Sequence, residues 1–274
     1  MVWSKAGGAY SRVLAAVTGA AFLTAAATGC GTRPGDTGPA PAAPGSPGKP
    51  SAQAGIRPIP GQTSRPDASL PAPLVSMDLS HDSDKGARGV NITIDDGPDP
   101  VWTPRVLRLL KDNGVKATFC MVGPQAEAHP GLVKDVVAAG HLLCAHSLSH
   151  DTAMDHKSRD YQAKEVLESA RMITEASGGV KPLYYRAPGG AFTPYSRQLA
   201  AAHGMRPLGW NVDSKDFKRP GSAAIVRTVK NELSNGPTVL FHDAGGDRSQ
   251  TVAALREILP WLKHQGREFG FPER

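Results

Sequence analysis

Past residue 88 the sequence switches repeatedly between a two-residue hydrophobic period and a helical one. Val90, Ile92 and Ile94 alternate with polar residues, which predicts a strand over residues 88–94. Thr103 and Pro104 open a predicted helix, Thr as a cap and Pro as a first-turn residue, with Val106, Leu107 and Leu110 on one face and Gly114 as the stop. Residues 115–122 and 141–145 read as the next strands, separated by a helix over 130–139 that Gly140 closes. A longer helix is expected over 158–177, where Ala163, Val166, Leu167, Ala170 and Ile173 form a stripe ahead of Gly178 and Gly179. Short strands follow at 183–185, 206–212 and 237–241, with helices at 194–203 and 222–233 and a last helix from Thr251 interrupted near Pro260.

This alternation puts parallel strands inside and helices outside, as an open α/β sheet or a barrel; periodicity leaves both open. In either, ligands gather at the carboxyl ends of strands. The reactive residues recur at that end. Asp95-Asp96-Gly97 follows the first strand, His146 and His150 the third, Arg186 the Tyr184-Tyr185 strand, Asp213 and Asp216 the next, and His242 closes the last.

Two adjacent carboxylates repel each other unless a cation lies nearby. His146 and His150 can converge from one turn or tight loop, and one carboxylate with two imidazoles leaves a metal an open position for water and substrate. Singly, each piece is ordinary: Asp-Asp-Gly is a common turn and spaced histidines are common on surfaces. Their recurrence at matching strand ends is what sets them apart. By themselves Arg186 reads as a structural ion-pair residue, Leu240 as core, and Tyr184, Tyr185 and Trp210 as core rather than sugar platforms. Asp213 and Asp216 both remain open as partners of His242, and His242-Asp243 also fits a surface turn.

Composition changes the picture before residue 88. Lys5 and Arg12 precede an apolar run over 13–27 that ends in Ala27-Thr28-Gly29-Cys30, too short to span a bilayer comfortably. Residues 1–29 are therefore expected to be a signal peptide. The last four resemble a bacterial lipobox, which makes Cys30 the lipidated first residue of the mature chain, tethered to the outer face of the cell membrane; simple secretion is the other reading. Residues 30–75 are dominated by Pro, Gly, Ala, Ser and Thr and read as a disordered tether, leaving 88–274 as one α/β domain. Of the three cysteines, Cys120 and Cys144 remain; export permits a disulfide, and buried free thiols fit equally. The net charge of +6 comes without a Lys/Arg cluster interleaved with aromatics, so no nucleic-acid partner is expected.

Five segments, residues 93–97, 146–150, 186–190, 213–217 and 240–242, resemble in order and spacing the motifs of the NodB homology domain, the polysaccharide deacetylases or carbohydrate esterase family four. The resemblance implies a distorted (β/α) barrel with fewer than eight strands. It implies that Asp96, His146 and His150 bind a divalent metal, usually zinc and sometimes cobalt or another ion. Asp95 would be the general base held by Arg186, His242 the general acid oriented by Asp216, and Leu240 a wall of the acetyl pocket. The resemblance makes the partner an acetylated polysaccharide such as peptidoglycan, chitin oligomers or acetylated xylan, and the chain is expected to act as a monomer. Gly189 stands where the family usually has an aromatic groove wall and Phe217 where it usually has Trp; Ile94 also replaces an aromatic. A small-molecule metal-dependent esterase and a non-catalytic glycan-binding lipoprotein are the competing readings. Retention of Asp95 and His242 argues against the latter, because a binding module needs neither a base nor an acid.

Mass spectrometry of the mature protein should find a diacylglyceryl group on Cys30, and Cys30→Ala should release the protein into the medium. A lipid-free chain beginning at another residue would remove the tether.

Overall fold

The computed structural model describes residues 66–274; the expected signal peptide, Cys30 and the tether up to residue 65 lie outside the described residues. Its strands are β1 (Gly89–Asp95), β2 (Ala117–Met121), β3 (Leu142–Ala145), β4 (Tyr184–Tyr185), β5 (Arg206–Pro207), β6 (Val212–Asp213), β7 (Thr238–His242) and β8 (Glu268–Phe269). Between them run α1 (Thr103–Asp112), α2 (Gly123–Ala128), α3 (Pro130–Ala138), α4 (Arg159–Ser177), α5 (Pro194–Ala202), α6 (Ser222–Glu232) and α7 (Ser249–His264). Every strand pairing is parallel, in the order β5-β4-β3-β2-β1-β7-β6, with β8 beside the start of β1.

The two ends of that order, β5 and β6, are halves of one stretch of chain. From Pro207 to Val212 is no more than about 17 Å of extended backbone, so the sheet must curl until its edges almost meet. The outcome is a distorted (β/α) barrel, as the family resemblance implied. The sequence pattern predicts one strand over 206–212. Gly209 divides it, because the chain there passes so close to the segment before β1 that a Cβ would stand 2.2 Å from His81 Nε2. Ser80 fills the seam with a parallel bridge to Leu208.

Strand side chains alternate between two environments. Ile92, Ile94, Phe119, Val239 and Phe241 point outward into the main core beneath the helices, each burial worth roughly 1.5–3 kcal/mol. Cys120, Cys144, Tyr184 and Leu208 cluster separately inside the barrel. Cys120 and Cys144 are register partners on β2 and β3 and form a disulfide, which settles the pairing that the sequence left open. Tyr184 and Tyr185 are buried, in keeping with their reading as core.

Helix ends follow local chemistry. Ser158 Oγ accepts from Tyr161 N at the start of α4, Gly178 (φ 83) stops it, and Thr193 with Ser196 forms a capping box on α5. Five expectations need correction. Thr103 does not cap α1: it is the first helical residue, and Asp99 Oδ1 instead accepts from Val101 N and Trp102 N. Helix α2 was not anticipated, since six residues are too few to display a period. The two-residue β8 escaped for the same reason. Helix α7 runs through Pro260, where buried Leu255, Ile258, Leu259 and Leu262 offset the lost backbone bond. Residues 67–74 fall within the stretch that composition assigns to the tether. They are nevertheless held against α5, through Gln198 Oε1 accepting from Asp67 N (2.6 Å) and Ala201 O from Leu74 N (3.0 Å).

Candidate functional site

The carboxyl end of β1 turns sharply: Asp96 adopts φ 79 and its N–H donates to Cys120 O, which swings its carboxylate over the end of the barrel. Beyond β3, Ser147 (φ 69) and His150 (φ 56) fold the chain back on itself, with Ser147 Oγ accepting from His150 N at 3.0 Å. These two loops bring one carboxylate oxygen and two imidazole nitrogens, from Asp96, His146 and His150, within 4.8 Å of one another. His146 Nδ1 donates to Arg186 O (2.8 Å), which leaves Nε2 free to ligate. Asp96 Oδ1 lies 3.6 Å from His146 Nε2 and 3.1 Å from His150 Nε2, yet it is buried without a hydrogen bond of proper geometry. A buried acceptor with no donor, facing two imidazole nitrogens, fits a divalent cation.

Burial and neighbouring charge favour an ionised Asp96 and a neutral His146. Burial works against the Asp96 carboxylate, but His150, His242 and His146 around it bring its pKa down to about 2. Burial holds His146 below the ordinary imidazole value, so it is neutral, as a ligand must be. His150, in contact with Asp96, is raised.

One anchor of this site was missed in the sequence. Glu165, on the buried side of α4, accepts from Leu148 N (2.9 Å) and Ser149 N (2.8 Å) through Oε2 and from Ser149 Oγ (2.8 Å) through Oε1. It therefore ties down the loop between the two histidines. The available signal was a charged residue inside a helix's apolar stripe, next to Val166.

Asp95 and His242 stand side by side, register partners on β1 and β7. Asp95 is 2% exposed; Arg186 Nη1 donates to its Oδ1 at 2.6 Å, and its Oδ2 faces the histidines, 3.6 Å from His146 Nε2. The Arg186 guanidinium also donates to Thr93 Oγ1, Leu208 O and Gly209 O. His242 Nδ1 donates to Asp216 Oδ1 at 2.6 Å, while Asp216 Oδ2 accepts from His242 N and Thr251 Oγ1. Asp216 is thus the partner of His242. Asp213 instead pairs with Lys215 (2.6 Å). Burial alone would lower the His242 pKa, but the bond and charge of Asp216, with Asp96 and Asp95 beyond, raise it to about 9.

Around this centre Leu240 lies two residues below His242 on β7, buried, and Phe217 sets its ring 5.5 Å from the imidazole with 40% of its surface exposed. Gly189 is exposed and adopts φ 60, and a Cβ there would meet Thr152 Cβ at 3.2 Å. Thr152 thus lies against the groove wall at this position. Asp243 is not part of a surface turn. It is buried against Gly97, accepts from Thr103 Oγ1 (2.5 Å), and burial pushes its pKa up to about 7.

The polysaccharide deacetylase family model matches residues 82–208. Over 183 residues the chain is 39% identical to a peptidoglycan-N-acetylglucosamine deacetylase of Bacillus cereus, an alignment covering 66% of this chain and 84% of that protein. A chitooligosaccharide deacetylase of Sinorhizobium fredii is 37% identical over 194 residues, covering 67% of this chain and 90% of the relative. Among solved structures, a CE4 family pseudoenzyme from Bacillus anthracis matches with a TM-score of 0.66 at 28% identity, covering 72% of this chain and 68% of the other.

Glu165→Gln replaces half of an acceptor by a donor facing Leu148 N and Ser149 N. It should weaken zinc affinity about 10- to 100-fold in a chelator competition, the range seen when groups behind metal ligands are lost. Affinity equal to the unchanged protein would remove Glu165 as the anchor of the loop.

Proposed function

Because the chain belongs to the polysaccharide deacetylase family, we propose that it is a metal-dependent hydrolase that removes acetyl groups from a glycan of the N-acetylglucosamine type, such as peptidoglycan or chitin oligomers. The observation that supports catalysis, rather than glycan binding alone, is the pairing of Asp95 with Arg186 and of His242 with Asp216 on adjacent strands beside the cluster of Asp96, His146 and His150. A pseudoenzyme can share the fold, so these side chains, and not the barrel, support catalysis.

A divalent cation held by Asp96, His146 and His150, zinc or cobalt, supplies Lewis acidity toward the acetyl carbonyl and toward water. Asp95 Oδ2, facing the site, takes a proton from the attacking water, while Arg186 keeps Oδ1 fixed so the carboxylate cannot rotate away. His242, its Nδ1 committed to Asp216, offers its other nitrogen, Nε2, to protonate the leaving amine. Leu240 forms an apolar floor for the acetyl methyl and Phe217 an aromatic wall for the sugar. The apolar run before Cys30 supports placing this chemistry outside the cell membrane, on a lipid tether.

Asp95→Asn should lower kcat by roughly 10²- to 10⁴-fold while zinc content is retained. His242→Ala should cost more on an N-acetyl amide than on an O-acetyl ester, since the amine depends more on being protonated. Because His242 acts in its protonated form, acetate release should fall as pH rises through about 9. Linkage gives the same sign for stability: the His242–Asp216 pair contributes fully below the ordinary imidazole value of 6.5 and is lost as pH climbs through about 9. In Asp216→Asn the basic limb of the rate profile should move down toward 6.5. A limb that stays where it was would show that Asp216 does not set it.

A further inference from the structure

Among the described residues, five that are not glycine adopt a left-handed backbone: Asp96, Ser147, His150, Lys215 and Arg219. The first three build the metal loops. Lys215 (φ 58) and Arg219 (φ 54) bracket a single 3-10 turn, Asp216–Lys218. Each such residue is strained and persists only where its surroundings over-determine it. Here the surroundings are visible: Asp216, buried under the turn, is bonded to His242 and Thr251, and its carbonyl accepts from Arg219 N at 2.9 Å. A strained, well-anchored turn thus holds Phe217, Lys218 and Arg219 in an exposed row beside the acid.

Their placement is specific. Phe217 lies against His242, and Lys218 Nζ is 5.8 Å from the centre of the Phe217 ring. Arg219 reaches toward the loop after β7, where a methyl on Gly246 would stand 3.5 Å from its Nη1; a methyl on the preceding Gly245 would stand 3.3 Å from Asp96 Oδ2. Neighbouring residues of one loop therefore lie close to Asp96 on one side and to Arg219 on the other. Lys215 is neutralised by Asp213, whereas neither Lys218 nor Arg219 forms an ion pair with a described residue. The carboxylate nearby, Asp247, accepts from Ser249 N (2.8 Å) and feels Arg219 and the buried Arg248 only as more distant charges. Two cations without an ion pair among the described residues are left beside an exposed aromatic ring that packs against His242.

We propose that Phe217, Lys218 and Arg219 form a subsite for a carboxylate carried by the glycan, on a sugar or an attached peptide next to the acetylated residue. A sugar ring lies on Phe217, and the carboxylate sits between Lys218 and Arg219. The proposal deepens the deacetylase reading and rests on it: it makes an acidic glycan, rather than a neutral N-acetylglucosamine oligomer, the better substrate.

The test compares glycan strands that carry free carboxylates with the same strands after amidation. Peptide-free and peptide-bearing forms distinguish a sugar-borne carboxylate from a peptide-borne one. Two rim charges of this kind are worth roughly a 5- to 10-fold preference in kcat/KM for the acidic strand. That preference should collapse in Lys218→Gln/Arg219→Gln and shrink in about 0.5 M salt. Lys218→Arg/Arg219→Lys, which keeps both charges, should preserve it. The same ratio is read as binding to the Asp95→Asn protein. If no strand releases acetate, the deacetylase reading fails while the binding ratio still decides the subsite. A preference unchanged in Lys218→Gln/Arg219→Gln, or no preference in the unchanged protein, overturns the proposal.

Discussion

At the centre of the barrel a fully buried guanidinium meets a carboxylate that is 2% exposed, and neither Arg186 nor Asp95 can be left without the other. A buried charge stripped of its partner typically costs about 3–5 kcal/mol. The pair therefore fixes where β4 lies relative to β1, two strands apart from direct pairing. Arg186 extends the same constraint in two further directions. Its guanidinium holds Leu208 O and Gly209 O, the stretch that joins the two edges of the sheet, and its own carbonyl sets the tautomer of His146. Barrel closure, the orientation of the base and the state of a metal ligand thus depend on a single residue.

The second buried pair is built differently and has a different consequence. Asp216 makes three hydrogen bonds, two of them to His242, and its hold on the imidazole outweighs the burial that would otherwise keep that ring neutral. Two buried histidines of the site therefore differ in charge. Burial holds His146 neutral against the nearby Asp95 and Asp96 carboxylates, while the bond to Asp216 holds His242 charged despite its burial. Separated protonation states at one pH are what a metal ligand and a general acid require. What separates the two rings is the short bond from His242 to Asp216, where His146 has only a backbone carbonyl and more distant carboxylates.

The sequence was most legible where period and chemistry coincide. Strands β1, β2 and β7 are fully buried along their length, and Asp95 and His242 stand at the carboxyl ends of two of them. It was least legible where a partner comes from far along the chain. Choosing Asp216 over Asp213 depends on which carboxylate faces inward after a two-residue strand, and no local pattern records that. Glu165 is hidden in a helix stripe, because its three donors come from a loop some sixteen residues earlier. Gly209 looked like part of a strand, since only the path of His81 shows why a side chain has no room there. At Gly189 the reverse holds: Thr152 lies against the position, and no local pattern in the sequence records that contact.

The seam at residues 208–211 also divides the molecule by how freely it can change over evolutionary time. Four residues join the two edges of the sheet, with two carbonyls bound to Arg186 and a glycine pressed against His81, so an insertion there would push the edges apart and unseat the base. The turn at Asp216–Lys218 is anchored from beneath through Asp216, and its outward residues bear no part of the barrel. Diversification is therefore channelled: the rim of the groove can be rewritten for a new polymer, whereas the seam admits no change in length.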